Sequence, residues 1–154
     1  MTNRQWRLRA ARADDLARWR ELFKGYADFY QTEQTDAAAM LVWEWIHDEA
    51  SPVACLLAVD DDDRAVGLAH YRPFPRPARG AIGCYLDDLF VDPAVRGGGA
   101  ADALLLELRR LAAVNGWNVV RWITADDNHR ARAKYDRYAT RTMWVTYDMA
   151  PGQG

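Results

Sequence analysis

The chain has 154 residues, half of them apolar and 12% aromatic, enough for one domain with a sizeable core and too apolar for global disorder. Twenty basic residues against 22 acidic ones give a net charge of −2, which argues against an electrostatic nucleic-acid binder. Cys55 and Cys84 make neither a metal-ligand spacing nor a disulfide framework, the polar start from Met1 to Arg12 lacks the apolar core of a signal peptide, and no run approaches a membrane span. A soluble, cytoplasmic protein with no metal, no membrane and no nucleic-acid partner is expected.

Trp6-Arg7-Leu8-Arg9 alternates as a short strand does. From Asp14, Leu16, Trp19, Leu22, Phe23, Tyr26 and Tyr30 recur at helical spacing, and a second helix is predicted from Asp36 to His47. Ser51-Pro52 ends it. Val53–Val59 and Ala65–Tyr71 read as a hairpin, with Asp60 to Asp63 as a turn whose carboxylates point apart into solvent. Pro73, Pro75 and Pro77 predict a loop. Cys84–Val91 is the next strand, followed by a glycine run and an amphipathic helix carrying Ala101, Leu104, Leu105, Leu108 and Ala112, which stops at Asn115-Gly116. Val119–Ile123 has the continuous apolar character of a central strand. A helix from Asn128 to about Ala139 and a closing strand from Trp144 to Met149 complete the chain. The order β-α-α-β-β-β-α-β-α-β predicts one α/β domain over residues 1–154, with a mixed, largely antiparallel sheet flanked by helices.

The stretch from Leu89 to Ala101 carries the first chemistry. A strand runs into Arg96, then Gly97, Gly98 and Gly99, then a helix opening at Ala100-Ala101. Glycines at a helix N-terminus let backbone N–H groups converge on an anion, the helix dipole adds favourable potential, and an arginine supplies fixed charge. A nucleoside-triphosphate loop would need Gly-Lys-Ser/Thr, and a dinucleotide fingerprint would need Gly-x-Gly-x-x-Gly; neither is present. Asn128, Ala131 and Tyr135 follow at i, i+3 and i+7, on one helix face. Asp87 and Asp88 are neighbours in a strand, so they are expected on opposite faces, with Asp88 serving backbone or a nearby loop.

Arg96-x-x-Gly99-x-Ala101 resembles the Arg/Gln-x-x-Gly-x-Gly/Ala signature of the GNAT superfamily of N-acetyltransferases. Asn128-x-x-Ala131-x-x-x-Tyr135 is similar to a second pattern of that superfamily. The strand Tyr85-Leu86-Asp87-Asp88-Leu89-Phe90-Val91 is similar to the one found in its polyamine and thialysine branch, and the match spans most of the chain. The resemblance implies an acetyl-CoA-dependent N-acetyltransferase of the GNAT fold that acts on a primary amine by direct attack in a ternary complex. It implies that Leu89, Phe90, Val91, Arg96, Gly97, Gly98, Gly99, Ala100, Ala101, Asn128 and Ala131 hold acetyl-CoA, in a cleft where the Leu89–Val91 strand splays from Val119–Ile123. Tyr135 would protonate the departing thiolate, Asp87 would attract the substrate ammonium and accept its proton directly or through water, and Tyr26 and Tyr30 would line the amine pocket. A small cationic amine such as a polyamine is the acceptor it favours, and it allows a homodimer. Met143-Trp144 stands where the family usually has Gly-Phe, and Gly98 where many members carry lysine. His47, His70 and His129 stand outside these motifs. Two rivals remain: a protein or peptide acetyltransferase, and a non-catalytic acyl-CoA sensor that would dispense with Tyr135 and Asp87.

Overall fold

The computed structural model describes residues 5–153. The chain divides into two compact units, one ending at Trp122 and one beginning at Ile123.

The first unit is a five-stranded sheet in sequential order, β1 (Arg7–Ala10), β2 (Ala54–Val59), β3 (Ala65–Arg76), β4 (Ala81–Val91) and β5 (Val120–Arg121). The first four are antiparallel and β5 runs parallel to β4. Helices α1 (Leu16–Phe29) and α2 (Asp36–His47) lie between β1 and β2 in sequence, and α3 (Ala100–Asn115) lies between β4 and β5. Thr35 starts α2 by accepting from the Ala38 N–H, and Gly116 ends α3 at φ 72°. Both ends fall where the sequence predicts them, because capping is decided by neighbouring residues.

Trp19, Leu22 and Phe23 of α1 and Trp43 of α2 pack with Cys55, Leu57, Val59, Leu68 and Phe90 in one buried cluster. Side chains alternate across a sheet, and a Cβ at Gly67, next to Leu68, would meet Leu104 of α3 at 3.3 Å. The helix pair α1–α2 and the helix α3 therefore cover opposite faces.

In the first unit the structure corrects expectations about the prolines, the fifth strand and the turn aspartates. Pro73 and Pro75 lie inside β3, which runs to Arg76. Pairing with β2 stops at Tyr71, so beyond it β3 bonds only to β4, and prolines at alternate positions leave their missing donors on the uncovered edge. The strand read as central, Val119–Ile123, is a two-residue edge strand. The turn aspartates do not all point to solvent. Asp60 accepts from the N–H groups of Asp62 and Arg64, while Asp63 takes Arg7, Arg9 and Arg12.

Arg9 is also clamped to Asp15, which is buried and accepts from the Arg12 N–H at 2.7 Å. The Arg9 hydrogen bond, first among its causes, holds the Asp15 carboxyl below the usual carboxylate range. A depressed carboxylate adds stability that is complete above its unfolded value of about 3.9 and is lost as pH falls through its folded value. Asp15→Ala should cost on the order of 3 kcal/mol in urea unfolding at pH 7, since it strips a charge partner from a mostly buried guanidinium. The difference from the parent protein should shrink once the pH drops below about 4.

The second unit contains one helix, α4 (His129–Tyr135), shorter than the predicted Asn128-to-Ala139 span. Asn128 is its N-cap, accepting from the Ala131 N–H at 3.4 Å. The expected closing strand is not formed: Trp144 to Met149 holds no strand, and Trp144 is 88% exposed. Alternating apolar residues make a strand only where a pairing edge is available, and local pattern does not supply one. No helix among the described residues is long and apolar enough to cross a membrane.

Candidate active site

Strand β4 and the loop after it hold most of the chemistry. His70 of β3 faces Asp88 in the register, while the next residue, Tyr71, faces Leu86, leaving Asp87 as the extra residue of a β-bulge. The bulge has two consequences. First, Asp87 and Asp88 do not diverge to opposite faces as a regular strand requires. Both line one cavity of about 310 Å³, together with His70, Arg72, Val42 and Trp45. Second, the direction of backbone bonding inverts along β4. Cys84 and Asp92 are an even number of residues apart, yet the Cys84 N–H donates toward β5, to Val119, and the Asp92 N–H donates back to Val66 at the start of β3. After the bulge, the N–H groups of Leu89 and Val91 thus face away from β3. β5 pairs only with Cys84 and Tyr85, so among the described residues no strand covers that edge.

The cavity mixes both signs of charge. Arg72 donates from Nε to both oxygens of Asp87, at 3.3 and 3.0 Å, and its guanidinium lies 4.8 Å from the Tyr85 ring centroid. Asp88 accepts from His70 Nδ1 at 2.8 Å. Burial, then the charge of Asp88 and a hydrogen bond to that same carboxylate, push the Tyr26 phenol well above its ordinary value. Tyr30 stacks at 4.8 Å on Tyr26 and is more exposed. Burial, with Asp87 second, pushes the Cys84 thiol up to about 11, so it offers no thiolate for acyl transfer at neutral pH.

Beyond β4, Asp92 caps the turn at Pro93–Val95, and the three glycines lead into α3. Gly97 and Gly99 sit at φ 83° and 85°, and a Cβ on either would point into open space. Trp6 Nε1 donates to the Gly98 carbonyl at 2.7 Å and pins the loop from β1. The helix's own bonds begin with Ala103 N–H to Gly99 at 2.9 Å, and no side chain caps its start. The N–H groups of Ala100 and Ala101 come before the first of these intrahelical bonds, at the positive end of a 16-residue helix. This cradle fits a pyrophosphate. The Arg96 guanidinium does not close over it: it rests 5.6 and 5.9 Å from the ring centroids of Phe29 and Phe90, in a second cavity of about 450 Å³ beside α1.

Tyr26, Asp87 and the β4 edge come together in the first unit, as does the Arg96–Ala101 loop. Asn128, Ala131 and half-buried Tyr135 are carried by α4 of the second unit. His70 and Arg72 were missed in the sequence because their roles depend on strand register. A signal existed, since His70 and Asp88 are cross-strand partners, but the prolines between them disguise the strand and hide the count.

Residues 16–139 match the model of the acetyltransferase (GNAT) family. The chain belongs to the GNAT acetyltransferase family. It is 28% identical over 148 residues to the D-amino-acid N-acetyltransferase HPA3 of Saccharomyces cerevisiae, covering 96% of this chain and 92% of that one. Its fold is similar to that of a ribosomal-protein-alanine N-acetyltransferase from Brucella melitensis, with a TM-score of 0.79, 20% identity and coverage of 96% and 99% of the two chains. An aminoglycoside 6'-N-acetyltransferase from Acinetobacter haemolyticus gives a TM-score of 0.77 at 18% identity, with the same coverage. This GNAT chain is accordingly an acetyl-CoA-dependent N-acetyltransferase with a mixed, mostly antiparallel sheet flanked by helices.

Proposed function

We infer that this GNAT enzyme acetylates the primary amine of a small acceptor bound in the cavity at the β4 bulge. The observation that carries the reading is the bulge itself, which gathers Asp87, Asp88 and Arg72 in one cavity on the strand whose Leu89 and Val91 N–H groups are uncovered. Acetyl-CoA supplies an activated thioester. The α3 N-terminus and the Gly97–Ala101 backbone hold its pyrophosphate, with Leu89, Phe90 and Val91 along its pantetheine arm. The Leu89 N–H is the donor aimed at the oxyanion that forms when the amine adds to the thioester carbonyl. An alkyl amine is mostly an ammonium at neutral pH, so the carboxylates of the cavity first attract it and then take its proton. Tyr135 is assigned the return of a proton to the leaving sulfur, with Asn128 and Ala131 as the residues that match the family's CoA-binding pattern. The family match runs across both units, which supports treating the chain as one catalytic domain.

Among acceptors, an amino acid fits best. Arg72 puts a guanidinium within 3.0 Å of Asp87, a pair that matches the carboxylate and ammonium of one zwitterion and opposes a polycation. The activity named for the yeast relative agrees with this. The Tyr85-to-Val91 strand supports a polyamine as the second reading. A turnover screen across D- and L-amino acids, polyamines, aminoglycosides and lysine peptides separates them. Amino acids should be acetylated fastest, and Arg72→Met should raise their KM about tenfold or more, as loss of a charged contact does. Turnover confined to polyamines or peptides overturns the amino-acid assignment, and no turnover of any amine leaves only a sensor.

A further inference from the structure

We propose that Asp88, rather than Asp87, takes the proton from the acceptor ammonium, and that buried His70 is the positioning residue that holds Asp88 for that task. The proposal rests on the reading of the β4-bulge cavity as the acceptor site.

His70 is 1% exposed and sits among apolar groups. A buried imidazole there is tolerated only with both nitrogens satisfied. Trp19 Nε1 lies 2.9 Å from His70 Nε2, and an indole nitrogen can only donate. Nε2 must therefore carry the lone pair, which leaves the ring proton on Nδ1, 2.8 Å from Asp88 Oδ2. The tautomer is dictated by the indole. The ring cannot turn away either, with Phe23 edge-on at 4.8 Å and Trp19 at 5.8 Å between centroids. Three side chains distant in sequence make one directed chain, Trp19 to His70 to Asp88, that ends at the cavity.

The two carboxylates are not equivalent. Both oxygens of Asp87 are occupied by Arg72, with Oδ1 accepting twice. That geometry suits an anchoring ion pair and leaves little room for an added proton. In Asp88, Oδ2 is held by His70 Nδ1–H and the Tyr26 phenol bonds the same carboxylate; both are neutral donors, so an added proton displaces no ion pair. The step balances as R–NH3⁺ plus Asp88 carboxylate giving R–NH2 plus Asp88 carboxylic acid. His70 keeps its proton throughout and donates it before and after. The proton then leaves Asp88 for solvent as the amide and the CoA thiol are released.

The test uses the full-length enzyme, acetyl-CoA and the best acceptor from the screen. Asp88→Asn should lower kcat about 100-fold or more, whereas Asp87→Asn should act mainly by raising acceptor KM. His70→Leu should lower kcat about tenfold or more with acetyl-CoA KM unchanged. His70→Asn, whose amide N–H can replace Nδ1–H toward Asp88, should restore most of that loss although it is no better packed. Should His70→Leu fail to fold, Trp19→Phe provides the same comparison, because it frees the tautomer and should lower kcat in the same sense. Equal kcat in the leucine and asparagine variants, or a kcat collapse in Asp87→Asn with Asp88→Asn near wild type, overturns the proposal. A wild-type enzyme that acetylates amines only through acceptors too large for the cavity would instead overturn the acceptor-site reading beneath it.

Discussion

Gly99→Asp is expected to weaken acetyl-CoA binding about 100-fold or more while leaving the fold intact. Gly99 is the N-cap of α3 at φ 85°, and a Cβ there meets nothing within 4 Å. Aspartate is among the few residues that accept this left-handed backbone, and it is a favoured N-cap. The substitution therefore costs about 1–2 kcal/mol of backbone strain, and it places a negative charge among the N–H groups of Ala100 and Ala101 that are assigned to the pyrophosphate. Like charges brought together at a binding site cost several kcal/mol, and 100-fold corresponds to about 2.7 kcal/mol. Calorimetric titration with acetyl-CoA, beside a thermal melt of the free protein, reads both effects. Unchanged affinity in a folded variant would remove the α3 N-terminus from the cofactor site. Arg96→Ala is a weaker probe, because the Arg96 guanidinium lies over Phe29 and Phe90 and its loss also alters packing beside α1.

The second large effect is expected from Tyr135→Phe, which should lower kcat about 100-fold at pH 7, near the low end for a positioned general acid. The CoA thiol, with a pKa near 8.5 if it behaves like cysteine, leaves tolerably well even as an anion. The penalty should therefore shrink as pH rises above that value, while acetyl-CoA affinity stays close to wild type because the ring remains. Tyr135 ends α4, the helix capped by Asn128, and is half-buried. A variant as fast as wild type under conditions where chemistry limits the rate would make Tyr135 a packing residue. Single-turnover acetylation across a pH series distinguishes the two results.

By itself the sequence determined what depends on neighbours along the chain. Thr35 and His47 bound α2 where the pattern predicts, Gly116 ends α3, and Gly97 and Gly99 after Arg96 take left-handed angles at the start of α3. Caps and glycine turns are decided within a few residues, so they were legible together with the family motifs built on them. Tertiary structure alone decided the cavity proposed for the acceptor. The bulge at Asp87 exists because β3 and β4 pair in one register, and that register turns two carboxylates into one site and exposes the Leu89 N–H. Trp19 and His70 stand 51 residues apart in sequence, and only the packing of α1 on β3 makes the indole a donor to the imidazole. The stretch from Trp144 to Met149 shows the same rule from the other side: its alternation promised a strand, but β-structure needs a partner edge, and that is a property of the fold rather than of the segment.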